Sequence, residues 1–307
     1  MKRWTKLAVL HKVETTEQTD ATPAVADAII GKNVSFTALQ ADRKSRDLIL
    51  PYLGNQGVLL SNAYGRLEMD VELAGSGTAG TAPRWGSLMR VCGFAETATA
   101  GTDVTYTLAE DGAETGSLYF VMDRQRHVLL GGRATATWTL SRNDIPTIRV
   151  TYTGILGTIT DIASMPAVSA SAWTVPAVVE KTQTTLSLHS VAQVAESATI
   201  QLGNAITYRD MIGDERVLIT SRSTTGTVVV QAPDLGDLDV FGLSRSRARG
   251  PLAIQHGTAA GNIIEIDAPA VEIGAPTIGQ TDNIVNYSLE LDVCPVDGLD
   301  DLTITVR

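Results

Sequence analysis

Between positions 66 and 73 the chain alternates polar and apolar residues with a period of two. The polar positions are Arg66, Glu68, Asp70 and Glu72, and the apolar positions are Leu67, Met69, Val71 and Leu73. Because successive side chains of a strand point to opposite faces, this pattern predicts a strand with one face on a core and the other in water. Such one-sided burial is typical of antiparallel sheets.

A glycine-rich loop and a short helix are predicted directly after this strand. Pro83 suits the first turn of a helix, Gly93 suits the position after its end, and Leu88 and Val91 fall on one stripe between them. The loop at 75–80 matches the spacing G-x-G-x-x-G of dinucleotide-binding proteins. However, a dinucleotide-binding strand is buried on both faces, whereas the strand at 66–73 has one charged face. The pattern therefore predicts a flexible surface loop and no bound cofactor.

The same order of elements recurs in the second half of the chain. Residues 226–232 again read as a strand, with Val228 and Val230 in the places of Leu67 and Met69, and Pro233-x-x-Gly-x-Leu follows as Pro83-x-x-Gly-x-Leu does in the first half. A turn and strand at 143–152 likewise match 281–291. The repeat predicts an internal duplication. It divides the chain into an N-terminal arm (1–30), a first domain (31–153), a linker (154–182) and a second domain (183–307).

Short strands separated by turn signals account for most of the remaining sequence. They are predicted at 34–39, 104–108, 117–123, 127–130, 133–140 and 147–153, and then at 184–191, 199–202, 263–267, 271–273, 284–293 and 302–306. Many short strands with one helix per half predict an all-β fold, with sandwich or barrel-like domains that each have one flanking short α-helix. Three stretches are predicted to lack regular structure: the arm, a loop at 203–216 and a charged passage at 40–62. A structureless passage of that length is usually functional.

Charge narrows the classes of partner. The chain has 34 acidic and 24 basic residues among 307, for a net charge of −10 and a pI near 4.9. This balance argues against a protein that binds nucleic acid by neutralising phosphates. The one basic run, Arg245, Arg247 and Arg249, is predicted to contact an acidic neighbouring subunit or to lie in a solvated loop.

The sequence does not predict an enzyme. The four histidines are scattered, and Cys92 and Cys294 lie in apolar runs in different halves, so neither a metal site nor a disulfide framework is expected. There is no Gly-x-Ser-x-Gly elbow. The N-terminus lacks the apolar run of a secretory signal and no later segment resembles a membrane span. We therefore expect a protein made in the cytoplasm that leaves it only as part of an assembly.

Three stretches resemble a known family. These are Leu10-His-Lys-Val-Glu-Thr-Thr-Glu, then Asp20-Ala-Thr-Pro, then residues 72–94, which read Glu-Leu-Ala-Gly-Ser-Gly-Thr-Ala-Gly-Thr-Ala-Pro-Arg-Trp-Gly-Ser-Leu-Met-Arg-Val-Cys-Gly-Phe. Together they resemble the tail tube (major tail) proteins of long-tailed bacteriophages and prophages. The second half, with residues 208–220 and Ala232-Pro-Asp-Leu, resembles another tube domain of the same kind.

The resemblance implies subunits that join into rings, and rings that stack into a hollow virion tail. Its implied partners are other copies of the chain, a tape measure protein, tail terminator and tail tip proteins, and double-stranded DNA that passes through the lumen without specific binding. No membrane is involved. The commonest members have one tube domain and form six-membered rings. Two domains per chain therefore predict a ring of three chains with pseudo-six-fold symmetry.

Elementary physics also favours assembly. An open β-domain presents unpaired sheet edges, ring closure removes them, and head-to-tail stacking of rings propagates into a filament. The contacts between rings are predicted in the arm and in the passage at 40–62, with these candidate residues: Asp42, Arg43, Lys44, Arg46, Asp47 and Tyr52.

The acidic face of the strand at 66–73 is predicted to line the lumen. There Glu68, Asp70 and Glu72 would keep DNA from adhering, because like charges repel. Alternation alone leaves open that this face turns outward and only confers solubility. The competing hypothesis for the whole chain is a tandem β-sandwich binding module, either an adhesin or a virion decoration protein.

Overall fold

The computed structural model describes residues 3–109 and 113–307. The strands of the first half are β1 (Leu7–Val13), β2 (Ala28–Ile29), β3 (Gly31–Ser45), β4 (Val58–Glu72), β5 (Phe94–Thr99), β6 (Asp103–Leu108), β7 (Gly116–Met122), β8 (Gln125–Ser141), β9 (Thr147–Leu156) and β10 (Thr160–Asp161). Those of the second half are β11 (Thr184–Leu188), β12 (Val191–Ala192), β13 (Ala195–Gln201), β14 (Asn204–Met211), β15 (Asp214–Arg222), β16 (Thr225–Gln231), β17 (Arg249–His256), β18 (Ile264–Ile273), β19 (Thr277–Thr281), β20 (Ile284–Cys294) and β21 (Thr303–Val306). The helices are α1 (Gly86–Val91), α2 (Val240–Ser246) and the 3-10 turns Val25–Asp27 and Ala170–Ala172.

The prediction of an all-β fold is confirmed. Nineteen of the described strands form one antiparallel network, and the other two, β14 and β15, pair with each other. The alternation that predicted β4 is also confirmed, since Leu67, Met69 and Val71 are buried while the residues between them are half-buried or exposed. One hydrophobic cluster includes side chains from both halves of the chain. The two halves therefore share a core.

The prediction of an extended N-terminal arm is wrong for two segments. β1 pairs along its whole length with β7, and β2 pairs with β1. Ala8, Val9, Leu10 and His11 are consecutive and buried. A strand covered on both faces has no polar alternation, and this is why the pattern at 7–13 did not indicate a strand.

The prediction of a structureless passage at 40–62 is also wrong. β3 and β4 form one long hairpin, and only residues 46–57 at its tip are irregular. The passage at 203–216, expected to be a loop, is likewise part of a hairpin made by β14 and β15. The ends of both hairpins are exposed on both faces, at 42–45 in β3 and 209–211 in β14, so these residues lack the apolar alternation by which strands are recognised.

The two halves have the same order of strand pairings. In the first half it is β2–β1–β7–β8–β9–β4–β3. In the second half it is β12–β11–β17–β18–β20–β16–β13. Each half has its helix between corresponding strands, α1 after β4 and α2 after β16. The duplication remains a prediction, and this repeated order supports it.

Among the described strands, two pairings join the halves. β8 of the first half pairs with β13 of the second, and β21 pairs with β6. As a result, eight strands form one run in the order β3–β4–β9–β8–β13–β16–β20–β19. Among the described strands, β3 pairs only with β4 and β19 only with β20, so both ends of this run are open edges.

The glycine-rich loop packs against the second half and is not a free surface loop. The Gly75 amide donates to the Asn262 side-chain oxygen at 2.7 Å, and the Gly77 amide donates to the Gly261 carbonyl at 2.9 Å. A Cβ atom on Gly75 would lie 2.1 Å from the Gly261 carbonyl oxygen. Glycine is therefore required there by the close approach of two backbones, which accounts for the motif without a dinucleotide.

Candidate assembly surfaces

The tip of the β3–β4 hairpin exposes a cluster of large apolar side chains. Ile49 and Leu53 are both fully exposed, at 102% of the reference area. Other apolar side chains of the hairpin also have large exposed fractions: Leu48, Leu50 and Tyr52 at the tip, and Leu39, Val58, Leu59 and Leu60 in its strands. Several large exposed apolar side chains on one segment are typical of a surface that binds another protein. We call residues 46–57 the hairpin tip.

The charged residues predicted for ring-to-ring contact lie along the same hairpin. Asp42, Arg43 and Lys44 are in β3, and Asp42 accepts a hydrogen bond from the Asn62 amide at 2.8 Å. Arg46 and Asp47 open the hairpin tip, where Asp47 accepts from the Ser45 hydroxyl at 2.5 Å. The structure thus brings the predicted residues together, beside the exposed apolar side chains of the same hairpin. Sequence reasoning selected the charges and missed most of the apolar residues.

The second hairpin, β14–β15, lies beside the first. The rings of Tyr64 and Tyr208 pack with centroids 5.1 Å apart, which joins the stems of the two hairpins. The second hairpin also ends in exposed apolar side chains, Met211 and Ile212. Each half of the chain therefore contributes one hairpin with an apolar end.

Glu68, Asp70 and Glu72 share the outward face of β4, as the alternation predicted, but two of them have basic partners. Arg149 donates to Glu68 at 3.0 Å and to Asp70 at 3.2 Å. Arg66 lies 2.8 Å from Glu68. Partly exposed ion pairs of this kind contribute little to stability. They do, however, neutralise part of the charge on this face.

The outward face of the eight-strand run is polar across both halves. Threonine is its most frequent residue: Thr37, Thr135, Thr137, Thr139, Thr147, Thr151, Thr199, Thr225, Thr227, Thr277 and Thr281. Thr153 is on the same face but is buried. Its charged residues are Lys32, Arg66, Glu68, Asp70, Glu72, Arg133, Arg149, Glu290 and Asp292. The face is therefore rich in hydroxyls, with acidic and basic groups nearly balanced.

Two of the three arginines in the basic run near α2 form ion pairs within the chain. Arg249 donates to Glu272 at 2.9 Å and Arg247 donates to the same carboxylate at 3.3 Å. The hydrogen bond from Arg249 is the main reason that the pKa of Glu272 is lowered. Arg245 is exposed. Of the three arginines predicted to contact a neighbour, Arg245 is the one whose guanidinium is best placed to do so.

Glu14, inside a stretch that carries the family resemblance, is a buried hub that sequence reasoning did not single out. Its carboxylate accepts hydrogen bonds from the Thr115 and Ser117 hydroxyls, each at 2.8 Å, and from the amides of Gln18 at 2.8 Å and Gly131 at 2.9 Å. These donors come from three segments of the chain. Glu14 therefore ties the end of β1 to β7 and β8.

His11 is the most strongly perturbed histidine. Burial, and secondarily the charge of Arg90, lower its pKa to about 3. Its Nδ1 lies 2.9 Å from the Ser87 hydroxyl, and Arg90 itself forms a two-pronged ion pair with Glu114. These groups border a cleft of about 800 Å³. No group of three or more metal-ligating side chains occurs among residues 3–109 and 113–307.

Burial favours the protonated thiol of Cys92. Cys92 is fully buried, and burial raises the pKa of its thiol. Cys294 is half-buried, and both thiols are free.

No helix in the described parts of the chain has the length and apolarity to cross a membrane. Comparison with models of protein families gave no match, and comparison with curated protein sequences gave none either.

Proposed function

We propose that this chain is a structural virion protein that polymerises into stacked rings and forms the hollow tail tube of a long-tailed phage or prophage. The observation that supports this best is the eight-strand run with an open edge at each end. Unpaired edges invite pairing with another chain, and natural proteins either protect them or use them. Copies of the chain that joined edge to edge would close the run into a barrel without edges.

Three chains would complete one ring. Each half contributes the same order of strands, so three copies supply six similar units around the axis. Six is also the number of domains in the ring that the resemblance implies. The ring therefore has exact three-fold and approximate six-fold symmetry.

The hairpins would join one ring to the next. The hairpin tip and the end of β14–β15 present apolar side chains that nothing in the described chain covers. Their burial against the neighbouring ring is favourable at about 25 cal/mol per Å² of apolar surface removed from water. The same contact repeated on every ring propagates without closing and gives a filament.

The hydroxyl-rich face would line the lumen. DNA has a high density of negative charge, and a basic wall would bind its phosphates. A wall of hydroxyls with balanced charges gives little net attraction, and Glu72, which has no ionic partner among the described residues, adds repulsion. This assignment places Glu68, Asp70 and Glu72 in the lumen, as the sequence predicted, while Arg66 and Arg149 moderate their charge. Tape measure, terminator and tip proteins would be its further partners.

Electron microscopy of the purified chain tests the proposal. Negatively stained protein at high concentration is expected to show hollow tubes, and averaged end views are expected to contain three chains per ring. Six full chains per ring would contradict the three-fold arrangement. A protein that stays monomeric at all concentrations would instead favour the alternative, a tandem β-sandwich binding module such as an adhesin or a decoration protein.

A further inference from the structure

We propose that β3 of one chain pairs with β19 of the next, in a register that places Phe36 opposite Ile278 and Thr37 opposite Thr277. The inference rests on the proposed function, because it specifies the contact that closes the ring. It is derived from the junction between the two halves of one chain, where β13 pairs with β8.

The first step is that β19 corresponds to the end of β8. In the first half, Glu72 of β4 pairs with Thr147 of β9, which pairs with Thr139 of β8. In the second half, Gln231 of β16 pairs with Asn286 of β20, which pairs with Gly279 of β19. Gly279 is thus the counterpart of Thr139.

The neighbouring positions follow in the same way. In the first half, Trp138 of β8 pairs with Ile148 of β9. In the second half, Ile278 of β19 pairs with Tyr287 of β20, so Ile278 is the counterpart of Trp138. The continuous strand β8 is therefore matched by β18 and β19 together, with an interruption at 274–276 between them.

The second step is that β3 corresponds to β13. Each pairs with the strand that precedes the helix of its half, β3 with β4 and β13 with β16, and each has a bulge near its start, between Lys32 and Ser35 in β3 and between Ala195 and Ser197 in β13. Phe36 pairs with Leu67 of β4, and Ile200 pairs with Gly226 of β16. The strand pairings match Leu67 with Gly226 and Met69 with Val228, so the correspondence predicted from the sequence pattern, which put Val228 and Val230 in those places, is wrong by two residues. Phe36 is thus the counterpart of Ile200.

The junction inside the chain then gives the register between chains. There Ile200 lies opposite Trp138, and Gln201 lies opposite Thr137. Replacing each residue by its counterpart puts Phe36 opposite Ile278 and Thr37 opposite Thr277. The edges of β3 and β19 that this pairing uses are the two left open among the described strands.

Burial at the two sites supports the correspondence. Inside the chain, Ile200 and Trp138 are fully buried by the junction. Ile278, in the place of Trp138, is 65% exposed, and Phe36, in the place of Ile200, is only partly buried against the core. A second copy seated in the proposed register would cover Ile278 as β13 covers Trp138. A large apolar residue on an open edge strand is otherwise an aggregation hazard.

Cysteine crosslinking tests the register. Thr37 and Thr277 are exposed on the outward face, and directly opposed residues have Cβ atoms about 4.5–5.5 Å apart. The variant T37C/T277C, in a C294S background, is treated with a short bifunctional methanethiosulfonate. We expect crosslinked dimers and trimers and no larger species from isolated rings. The matched control is T37C/S288C, because Ser288 pairs with Thr277 on the same face but lies one strand further in, and it is expected to crosslink at least tenfold less.

A second variant keeps the test independent of the crosslinking chemistry. Ile278→Asp places a charge at the proposed seam and is expected to give a folded monomer, whereas Val175→Asp, at another exposed apolar position, is expected to assemble normally. If the wild-type chain forms tubes but the T37C/T277C variant does not crosslink, the proposed register is wrong and the proposed tube stands. The same holds if I278D forms rings of normal size. Wild-type protein that forms no ring at all would overturn the proposed function with it.

Discussion

Arg149 lies between Glu68 and Asp70 and donates a hydrogen bond to each carboxylate. The acidic stripe of β4 is therefore a mixed cluster, in which one guanidinium offsets much of the charge of two acids. Its electrostatic character depends on both signs of charge, and exchanging the acids for bases would convert it into a site that binds phosphate.

The double substitution Glu68→Lys and Asp70→Lys tests this cluster. We expect folding and tube assembly to persist, because partly exposed pairs of this kind are worth about 1 kcal/mol or less. Genome delivery should slow or stop, since two lysines beside Arg66 and Arg149 would hold phosphates. The measurement is the rate of DNA release from particles containing the variant. The control Glu68→Gln with Asp70→Asn adds no basic group and should affect release less. Normal delivery by the lysine variant would show that this face does not line the path.

Substitution at the hairpin tip should separate ring formation from stacking. Ile49→Asp with Leu53→Asp is expected to leave stability within about 0.5 kcal/mol of the wild type, because both side chains are fully exposed. The variant should form rings that do not elongate, as seen by electron microscopy. Replacing residues 46–57 by Asn-Gly, which suits a two-residue hairpin turn, should have the same effect. Tubes of normal length from either protein would assign the tip another role.

The buried His11 predicts a loss of stability in mild acid. Its pKa is about 3 in the folded chain, below its ordinary value of 6.5, so the unfolded chain binds the proton more tightly. Stability from this residue is complete above pH 6.5 and declines as pH falls towards 3, by up to about 1.4 kcal/mol per pH unit. Urea unfolding at pH 7.0 and 5.5 measures the decline. His11→Asn should reduce the difference between the two pH values, and an unchanged difference would show that His11 is not its source.

Removal of the Glu14 carboxylate should be costly. Glu14→Ala leaves the Thr115 and Ser117 hydroxyls and the Gly131 amide without their acceptor inside the fold. We expect a loss of roughly 3–5 kcal/mol in the free energy of unfolding, as for other broken buried charge networks. Glu17→Gln is the control, since its partner Arg216 lies at 3.9 Å in a partly exposed pair, and it should change stability by less than about 0.5 kcal/mol. Equal effects of the two substitutions would argue against a hub at Glu14.

Sequence patterns predict strands that have one face exposed to solvent and the other buried. The strand at 66–73 was predicted because Leu67 and Met69 alternate with charged residues, and the strands at 147–153 and 284–293 were predicted for the same reason. The patterns failed where both faces share one environment. Residues 8–11 of β1 are buried on both faces and residues 42–45 of β3 are exposed on both, so neither segment alternates.

The candidate surfaces were likewise predictable only where their residues are close together in the sequence. The acidic stripe was visible from sequence because its residues are close in the chain, whereas its neutralising partner Arg149 is reached only through the pairing of β4 with β9. The hub at Glu14 likewise depends on donors more than 100 residues away, such as Thr115 and Gly131. Open edges are a property of the whole sheet and have no local signature.

The interruption at 274–276 separates β18 from β19, whereas the matching strand β8 runs unbroken from Gln125 to Ser141. Pro276 lacks an amide hydrogen and cannot continue a ladder of hydrogen bonds. In the proposed ring, the seam within each chain would use an unbroken strand, and the seam between chains would use a strand of five residues that 274–276 separate from β18. Rigid and compliant seams would then alternate around the axis, giving the tail wall three directions in which it flexes more easily.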